Sequence, residues 1–221
     1  MKVNFLTKVL KKQGVIMKPQ EIESLSFRIV EEEAKDHGFD KDHWPIVRRI
    51  IHTSADFEYI RNVRFSDDAV KKGIQAIQAG CRVFTDTNMA KVGIRKREIQ
   101  SFGGRIDCLI ADKAVAKKAK EDGTTRAFAA VDWVKDDIQN GIYVVGNAPT
   151  ALLRLIELIE EKQARPALVV GFPVGFVSAD ESKDALMKVD VPYITGKGRK
   201  GGSNVAASVV NALAIMAYEK S

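Results

Sequence analysis

Cysteine is scarce in this sequence of 221 residues, which contains only Cys81 and Cys108, each within an apolar stretch. Two isolated thiols provide neither a disulfide framework nor a zinc site. We therefore expect both thiols to be buried and reduced, as in a cytoplasmic protein. The sequence also lacks H-E-x-x-H and comparable metal-ligand spacings, so it predicts no protein-bound catalytic metal. The G-x-S-x-G motif of a serine nucleophile is absent as well.

Long hydrophobic runs are also missing, since no window approaches the roughly 20 apolar residues of a membrane-spanning helix. The basic N-terminal segment lacks the continuous apolar region and small-residue cleavage site of a secretory signal. We therefore predict a cytoplasmic protein that does not associate with membranes. The net charge of +6 favours anionic partners such as nucleic acid, phosphates or polycarboxylates. Because aromatic residues make up only 7% of the chain, nucleic acid is the least favoured of these partners.

From about residue 81 onward, short apolar runs alternate with helical patterns. Most of the runs are continuously apolar, as in strands that are covered on both faces. Alternation of strands and helices indicates a parallel sheet between two layers of helices. We predict an α/β protein of three layers with a mainly parallel, five-stranded sheet, its strands at 82–86, 106–110, 142–146, 167–172 and 191–195.

The first eighty residues have a different, helical pattern. Pro19 and Gly38 bracket one predicted helix, and Pro45 opens a shorter one. These signals predict a helical segment at 19–64 that precedes the sheet.

A single domain is expected from residue 19 to 221, because no Gly/Ser-rich linker separates the helical segment from the sheet core at 81–221. Residues 1–18 are interpreted as an N-terminal extension without an assigned role. The last helix, from Ser203 to about Glu219, is apolar nearly all round and is therefore predicted to be buried.

A glycine-rich loop precedes that helix in the stretch TGKGRKGGSNVAASVVNALA, residues 195–214. Gly196 and Gly201 have the spacing of a phosphate-binding P-loop, but Gly202 stands where that motif requires lysine. The loop is therefore predicted to bind an anion other than a nucleoside triphosphate. Backbone amides and a helix N-terminus favour a carboxylate or a phosphate. A purely structural turn is the alternative. The candidate contacts are Lys197, Arg199, Lys200, Gly201, Gly202 and Ser203.

Ligands of open α/β sheets bind beyond the carboxyl ends of the strands. Structural roles are alternatives for some polar residues at these ends. Ser178 and Glu181 have the spacing of a capping box, and Asn147 and Thr150 fit turn and cap positions. The candidate ligand contacts at the predicted strand ends are Asp86, Thr87, Asn88, Asn147, Thr150 and Ser178.

The strongest candidate for proton transfer among the three histidines is His52, which lies where an apolar helix gives way to polar residues. Histidine is the side chain whose ordinary pKa suits proton transfer near neutrality. Arg49 precedes it by three residues and shares its helix face, so this pair can place an anionic group against His52. Thr53 follows as a further candidate contact. The alternative is a hydrogen-bonded core histidine, and His37 and His43 are interpreted as structural.

Six stretches together resemble the precorrin-8X methylmutase family, also called precorrin isomerase. They are SFRIVEEEA, VRRIIHTSADFEY, FTDTNMAKVGI, GNAPTALLRL, GFPVGFVSADESKDAL and GKGRKGGSNVAASVVNALA. They follow the family's order from about residue 20 to residue 217, which is most of the chain.

The resemblance implies an isomerase of cobalamin biosynthesis that moves a methyl group from carbon 11 to carbon 12 of a tetrapyrrole-derived macrocycle. The product would be hydrogenobyrinate or its cobalt-containing counterpart. The resemblance further implies a flavodoxin-like fold and a homodimer with sites near the subunit interface. His52 falls at the family's proton donor and acceptor position, and Ser26 and Arg49 fall at substrate contacts.

This chemistry agrees with the independent interpretation of the residues. An intramolecular methyl shift requires no redox or group-transfer cofactor, and any cobalt would be carried by the macrocycle. The acetate and propionate groups of the macrocycle supply the anion for the glycine-rich loop. Three alternatives remain at this point: a non-catalytic corrinoid carrier, a nucleotide- or phosphate-binding α/β enzyme, and a nucleic-acid binder.

Overall fold

A computed structural model describes residues 18–220 of the chain. The chain divides into two compact units, residues 1–36 and residues 37–221. The predicted N-terminal extension lies outside the described residues, except for Lys18.

The described part of the first unit is helix α1, Pro19–Glu33. Pro19 occupies the first turn of the helix, where a backbone N–H would have no partner within the helix. The N–H that proline lacks therefore costs no hydrogen bond here. The Lys18 amide donates to the Glu21 carboxylate at 3.0 Å, which satisfies one more group at this end. The helix predicted from Pro19 is therefore confirmed.

The second unit alternates helices and strands along most of its length. Its described elements are α2 (Trp44–Ser54), α3 (Tyr59–Asn62), β1 (Val63–Phe65), α4 (Ala69–Gln78), β2 (Arg82–Thr85), α5 (Asn88–Gly93), α6 (Lys96–Ser101), β3 (Arg105–Asp107), α7 (Lys113–Glu121), α8 (Arg126–Val134), β4 (Ile142–Val145), α9 (Pro149–Glu160), β5 (Leu168–Gly171), α10 (Ala179–Leu186), β6 (Tyr193–Gly196) and α11 (Ser203–Glu219).

The six strands form one sheet in the order β1-β6-β5-β4-β2-β3. Strands β2 to β6 are parallel, and their order 3-2-4-5-6 is the flavodoxin-like arrangement, which reverses direction between β2 and β4. The predicted α/β fold with its mainly parallel sheet is thus confirmed. Every residue of β4 and β5 is buried, which explains their continuous apolar runs.

The predicted count of five strands is wrong, because β1 adds a sixth, antiparallel strand against β6. This strand, Val63–Phe65, falls at the end of the region that was predicted to be helical. Val63 and Phe65 are residue types that favour strands, but a run of three residues is too short to predict one, and β1 forms through pairing with a partner about 130 residues away. Ser66 extends the pairing, because its side chain accepts a hydrogen bond from the Tyr193 amide at 2.9 Å.

Helices cover both faces of the sheet. Helix α11 contacts α2, α4, α5 and α6 on one face, while α7, α8, α9 and α10 pack in sequence on the other. The predicted burial of α11 is confirmed, since most of its residues are inaccessible to solvent. Gly73 on α4 permits this packing, because a Cβ there would lie only 3.0 Å from the Leu213 side chain.

Candidate functional site

The strand order reverses between β2 and β4, and ligands of open α/β sheets bind beyond the carboxyl ends of the strands at such a point. Asp86 leaves β2 at this point and is 2% exposed. Its carboxylate accepts hydrogen bonds from the amides of Gly146 at 2.9 Å and of Asn147 and Ala148 at 2.8 Å. Burial raises the pKa of Asp86, and the three amide hydrogen bonds oppose that rise. Both carboxylate oxygens of Asp86 therefore bind the turn after β4. Asp86, which the sequence predicts as a ligand contact, thus stabilises this turn.

The first turn of α11 lies at the same end of the sheet. Ser203 is 7% exposed, and its hydroxyl lies 2.7 Å from that of Thr87. Thr87 also caps α5 by accepting from the Ala90 amide at 3.1 Å. A Cβ on Gly146 would lie 2.6 Å from the Ser203 Cα, so glycine allows the helix end to approach β4. The structure thus brings the predicted residues Asp86, Asn147 and Ser203 together.

The glycine-rich loop, residues 197–202, is shaped by close backbone contacts. Gly198 and Gly202 have φ values of +78° and +128°, which side chains other than glycine rarely adopt. A Cβ at Gly201 would lie 2.3 Å from the Phe172 carbonyl oxygen. The Gly202 amide donates to that same oxygen at 2.9 Å. These backbone contacts explain why glycine is needed at Gly198, Gly201 and Gly202, as the alternative of a purely structural turn requires. Binding of an anion by the loop stays a prediction.

The three cations of this loop differ in their surroundings. Lys200 binds two carboxylates, those of Asp56 and Glu58, the second at 2.8 Å. The hydrogen bond from Lys200 lowers the pKa of Asp56, and the two carboxylates raise the pKa of Lys200. Because two negative charges already face Lys200, it anchors the loop more readily than it binds a substrate. Lys197 and Arg199 are exposed.

Helix α10 holds the loop from its other side. The Asp180 carboxylate accepts from the Gly198 amide at 2.7 Å, and the Lys183 ammonium donates to the Lys200 carbonyl at 2.8 Å. Lys183 is fully buried, and burial lowers its pKa to about 8, which the charges of Asp180 and Asp184 oppose. Sequence reasoning missed Lys183, because ADESKDAL has the composition of a solvated helix and carries no local sign of burial.

Ser178 directly precedes α10 and adopts the left-handed conformation, with φ +57°. Its side chain makes no hydrogen bond to the helix end, so the capping-box alternative for Ser178 and Glu181 is wrong. Thr150 lies in the first turn of α9, and its hydroxyl lies 3.0 Å from that of Thr125, the residue that caps α8. Asn88, the first residue of α5, and Asn147, in the turn after β4, are exposed.

His52 lies in the last turn of α2, after the buried residues Ile50 and Ile51. It is partly exposed, as is Arg49 one turn earlier, and Thr53 is exposed. The helix ends at Ala55, which adopts the left-handed conformation with φ +53°. His52 therefore lies at the border of the core, partly accessible from outside it.

The end of α2 is attached to the glycine-rich loop. Asp56 and Glu58, which follow His52 closely in sequence, bind Lys200 of the loop. The Lys197 amide adds a second link, because it donates to the Asn62 carbonyl at 2.8 Å. The helix end that carries His52, the candidate for proton transfer, is thus linked directly to the glycine-rich loop, the candidate for anion binding. Ser26 lies on α1 in the first unit, partly buried, and its predicted contact with substrate stays a prediction.

Both cysteines are free and partly exposed, so the expectation that they are buried is wrong. Burial still raises the pKa of Cys81 to about 11. Within residues 18–220, no group of three or more His, Cys, Asp or Glu side chains is placed to hold a metal ion. Over the same range, every helix is too short or too polar to cross a bilayer.

Comparison with known proteins identifies the family of this chain. The model of one family, precorrin-8X methylmutase, matches residues 21–216. The chain belongs to the precorrin-8X methylmutase family. The resemblance noted in the sequence is therefore confirmed, as is the enzyme class, an isomerase that shifts a methyl group within one molecule.

Individual relatives of the methylmutase family match over nearly their whole length. The cobalt-precorrin-8 methylmutase of Priestia megaterium is 48% identical, over 91% of this chain and 89% of the relative. The precorrin-8X methylmutase of Pseudomonas aeruginosa is 36% identical, over 88% of this chain and 94% of the relative. The crystal structure of the precorrin-8X methylmutase from Thermus thermophilus superposes with a TM-score of 0.86 at 47% identity. That match covers 91% of this chain and 97% of the solved one.

Proposed function

We propose that this chain moves a methyl group from carbon 11 to carbon 12 of precorrin-8X or cobalt-precorrin-8, and that it thereby forms hydrogenobyrinate or cobyrinate. Family membership supports this reaction, and relatives that carry each of the two substrate names are similar to the chain. The structural observation that carries the proposal is the binding of Lys200 to Asp56 and Glu58. It joins the helix end that carries His52 to a loop suited to carboxylates.

His52 acts as the proton donor and acceptor in this proposal. Protonation of a ring nitrogen changes the electron distribution of the conjugated macrocycle and so favours the tautomer from which the methyl group migrates. General acid catalysis of this kind contributes roughly 10²–10⁴-fold to a rate. The remaining acceleration comes from positioning and electrostatic stabilisation of the substrate. The rearrangement needs no redox or group-transfer cofactor, and any cobalt belongs to the substrate.

The carboxylates of the macrocycle bind at the glycine-rich loop. The first amides of α11 have no carbonyl partner within the helix, and they add to the positive end of its dipole. Exposed Lys197 and Arg199 supply charge beside them. Ser203 contributes a hydroxyl in the first turn of α11, where it lies against Thr87. Arg49 and Thr53 contact other parts of the substrate.

The enzyme works as a cytoplasmic homodimer in this proposal, which rests on the resemblance of the sequence to the family. Sedimentation of the purified protein tests the dimer directly. A sedimenting mass of about one chain at micromolar concentration would contradict it.

Turnover of purified protein tests the proposed reaction. The protein is supplied separately with precorrin-8X and with cobalt-precorrin-8 in tenfold excess, and the absorbance change of methyl migration is followed. We expect conversion of many equivalents of at least one substrate, with the product verified by its mass and its NMR methyl shift. A carrier would bind the macrocycle tightly and convert none of it. Titration with nucleotides under the same conditions is expected to produce no binding.

A further inference from the structure

The connection between β5 and α10 exposes a group of neighbouring apolar side chains. Phe176 and Val177 retain 84% and 82% of their accessible surface, and Val174 retains 43%. Isolated apolar side chains on a surface are common, whereas adjacent ones mark a contact surface. We call residues 173–177 the apolar loop.

The apolar loop is fixed to the glycine-rich loop by the backbone. The Gly175 amide donates to the Arg199 carbonyl at 3.2 Å. A Cβ at Gly201 would lie 2.7 Å from the Pro173 carbonyl oxygen, so this approach requires glycine. The Asp180 and Lys183 contacts from α10 hold the glycine-rich loop from behind. These contacts give the two loops one fixed relative position.

A cation and an aromatic ring are adjacent where the two loops meet. The Arg199 guanidinium carbon lies 5.4 Å from the centre of the Phe176 ring. This distance is within the range of a cation–π interaction. The exposed surface therefore combines an apolar face with a positive charge at its border.

Given the proposed function, we propose that Phe176 and Val177 contact one face of the macrocycle while Arg199 binds a carboxylate at its rim. A corrin precursor has a broad conjugated ring whose faces are apolar and whose edge carries acetate and propionate groups. An aromatic side chain with a cation beside it is complementary to both features. Phe176 is thus a substrate-positioning residue, and it takes no part in proton transfer.

The variants Phe176→Ala and Phe176→Tyr test this contact. Turnover gives KM and kcat, and titration with the corrinoid product followed by absorbance gives the dissociation constant. We expect Phe176→Ala to raise both KM and the dissociation constant about tenfold, because it removes most of the apolar contact area. The value of kcat should stay within about threefold, because His52 is untouched. Phe176→Tyr keeps the ring and should restore near-normal values.

Trp133 provides a matched control, because it is an exposed aromatic residue, 51% accessible, on α8. Trp133→Ala should leave KM and product affinity within about twofold of the wild type. Thermal unfolding should be unchanged in Phe176→Ala, since the ring is exposed and supports no core.

Two results would overturn the inference. The first is unchanged KM and product affinity in Phe176→Ala. The second is a Phe176→Ala protein that no longer self-associates in sedimentation but keeps its affinity for the product. That result would make the apolar loop an interface between copies of the chain. Failure of the wild type to turn over would refute the proposed reaction instead, and the product titration would still decide whether Phe176 touches the macrocycle.

Discussion

Replacement of Lys183 by methionine tests how the glycine-rich loop is held, because methionine keeps the length of the side chain and removes its charge. Lys183 is fully buried, and its ammonium donates to the Lys200 carbonyl at 2.8 Å. Burial lowers its pKa from 10.5 to about 8. A drop of this size means that folding disfavours the charged form of Lys183, relative to the neutral form, by about 3 kcal/mol.

The pH dependence of this effect has a definite sign. Between pH 8 and pH 10.5 the unfolded lysine keeps its proton while the folded one has lost it. The unfolded state then binds more protons, so the free energy of unfolding rises with pH. Methionine does not titrate. The difference in the free energy of unfolding, wild type minus Lys183→Met, should therefore rise by roughly 2–3 kcal/mol from pH 7 to pH 10.

Urea unfolding of both proteins at four pH values between 7 and 10 measures this difference. Other titrating groups are common to both proteins and cancel. Lys188→Met is the matched control, since Lys188 is exposed, and its difference from the wild type should not change with pH. A constant difference for Lys183→Met over the same range would refute the buried, titrating ammonium. It would also remove the reason for assigning the loop contact to a charged group.

Three further changes probe the same loop. Arg199→Glu should weaken binding of the corrinoid product by about 10- to 100-fold, the value of a charge-assisted hydrogen bond, and unchanged affinity in an absorbance titration would refute the loop assignment. Gly201→Ala should lower the free energy of unfolding by about 2 kcal/mol, because its Cβ would meet the Phe172 carbonyl oxygen; an unaltered urea midpoint would contradict that close approach. Asp56→Asn should destabilise the protein above pH 4, and its difference from the wild type should shrink as the pH falls below 3.8, because Lys200 lowers the pKa of Asp56. A difference that stays constant in acid would show that the ion pair does not stabilise the fold.

The parallel strands were predictable because burial on both faces leaves a visible trace in the sequence. Ile142–Val145 and Leu168–Gly171 are apolar throughout, and each is followed by turn residues. Strand β1 leaves no such trace, because its pairing with β6 depends on residues far along the chain. Local pattern thus predicts the covered centre of the sheet better than its edge.

The sequence indicated which polar residues follow the strands, but it did not show what each of them contacts. Asp86 was expected to face a ligand, yet both of its oxygens hold the turn after β4. Lys200 was expected to bind a carboxylate of the substrate, yet it lies against Asp56 and Glu58 of the protein itself. Lys183 was not predicted at all. Charged residues show their polarity in a sequence, but their partners are set only when distant segments meet.

The most direct measurement of the central claim is the rate of methyl migration in His52→Gln, with enzyme in excess over substrate so that product release does not limit the signal. His43→Gln is the control, because His43 is also partly exposed but pairs with Asp40 at 2.8 Å. We expect His52→Gln to bind the macrocycle with near-normal affinity. The methyl group of the macrocycle should migrate about 10²–10⁴-fold more slowly in this variant, while His43→Gln should retain the wild-type rate. A wild-type rate in a correctly folded His52→Gln protein would contradict this expectation.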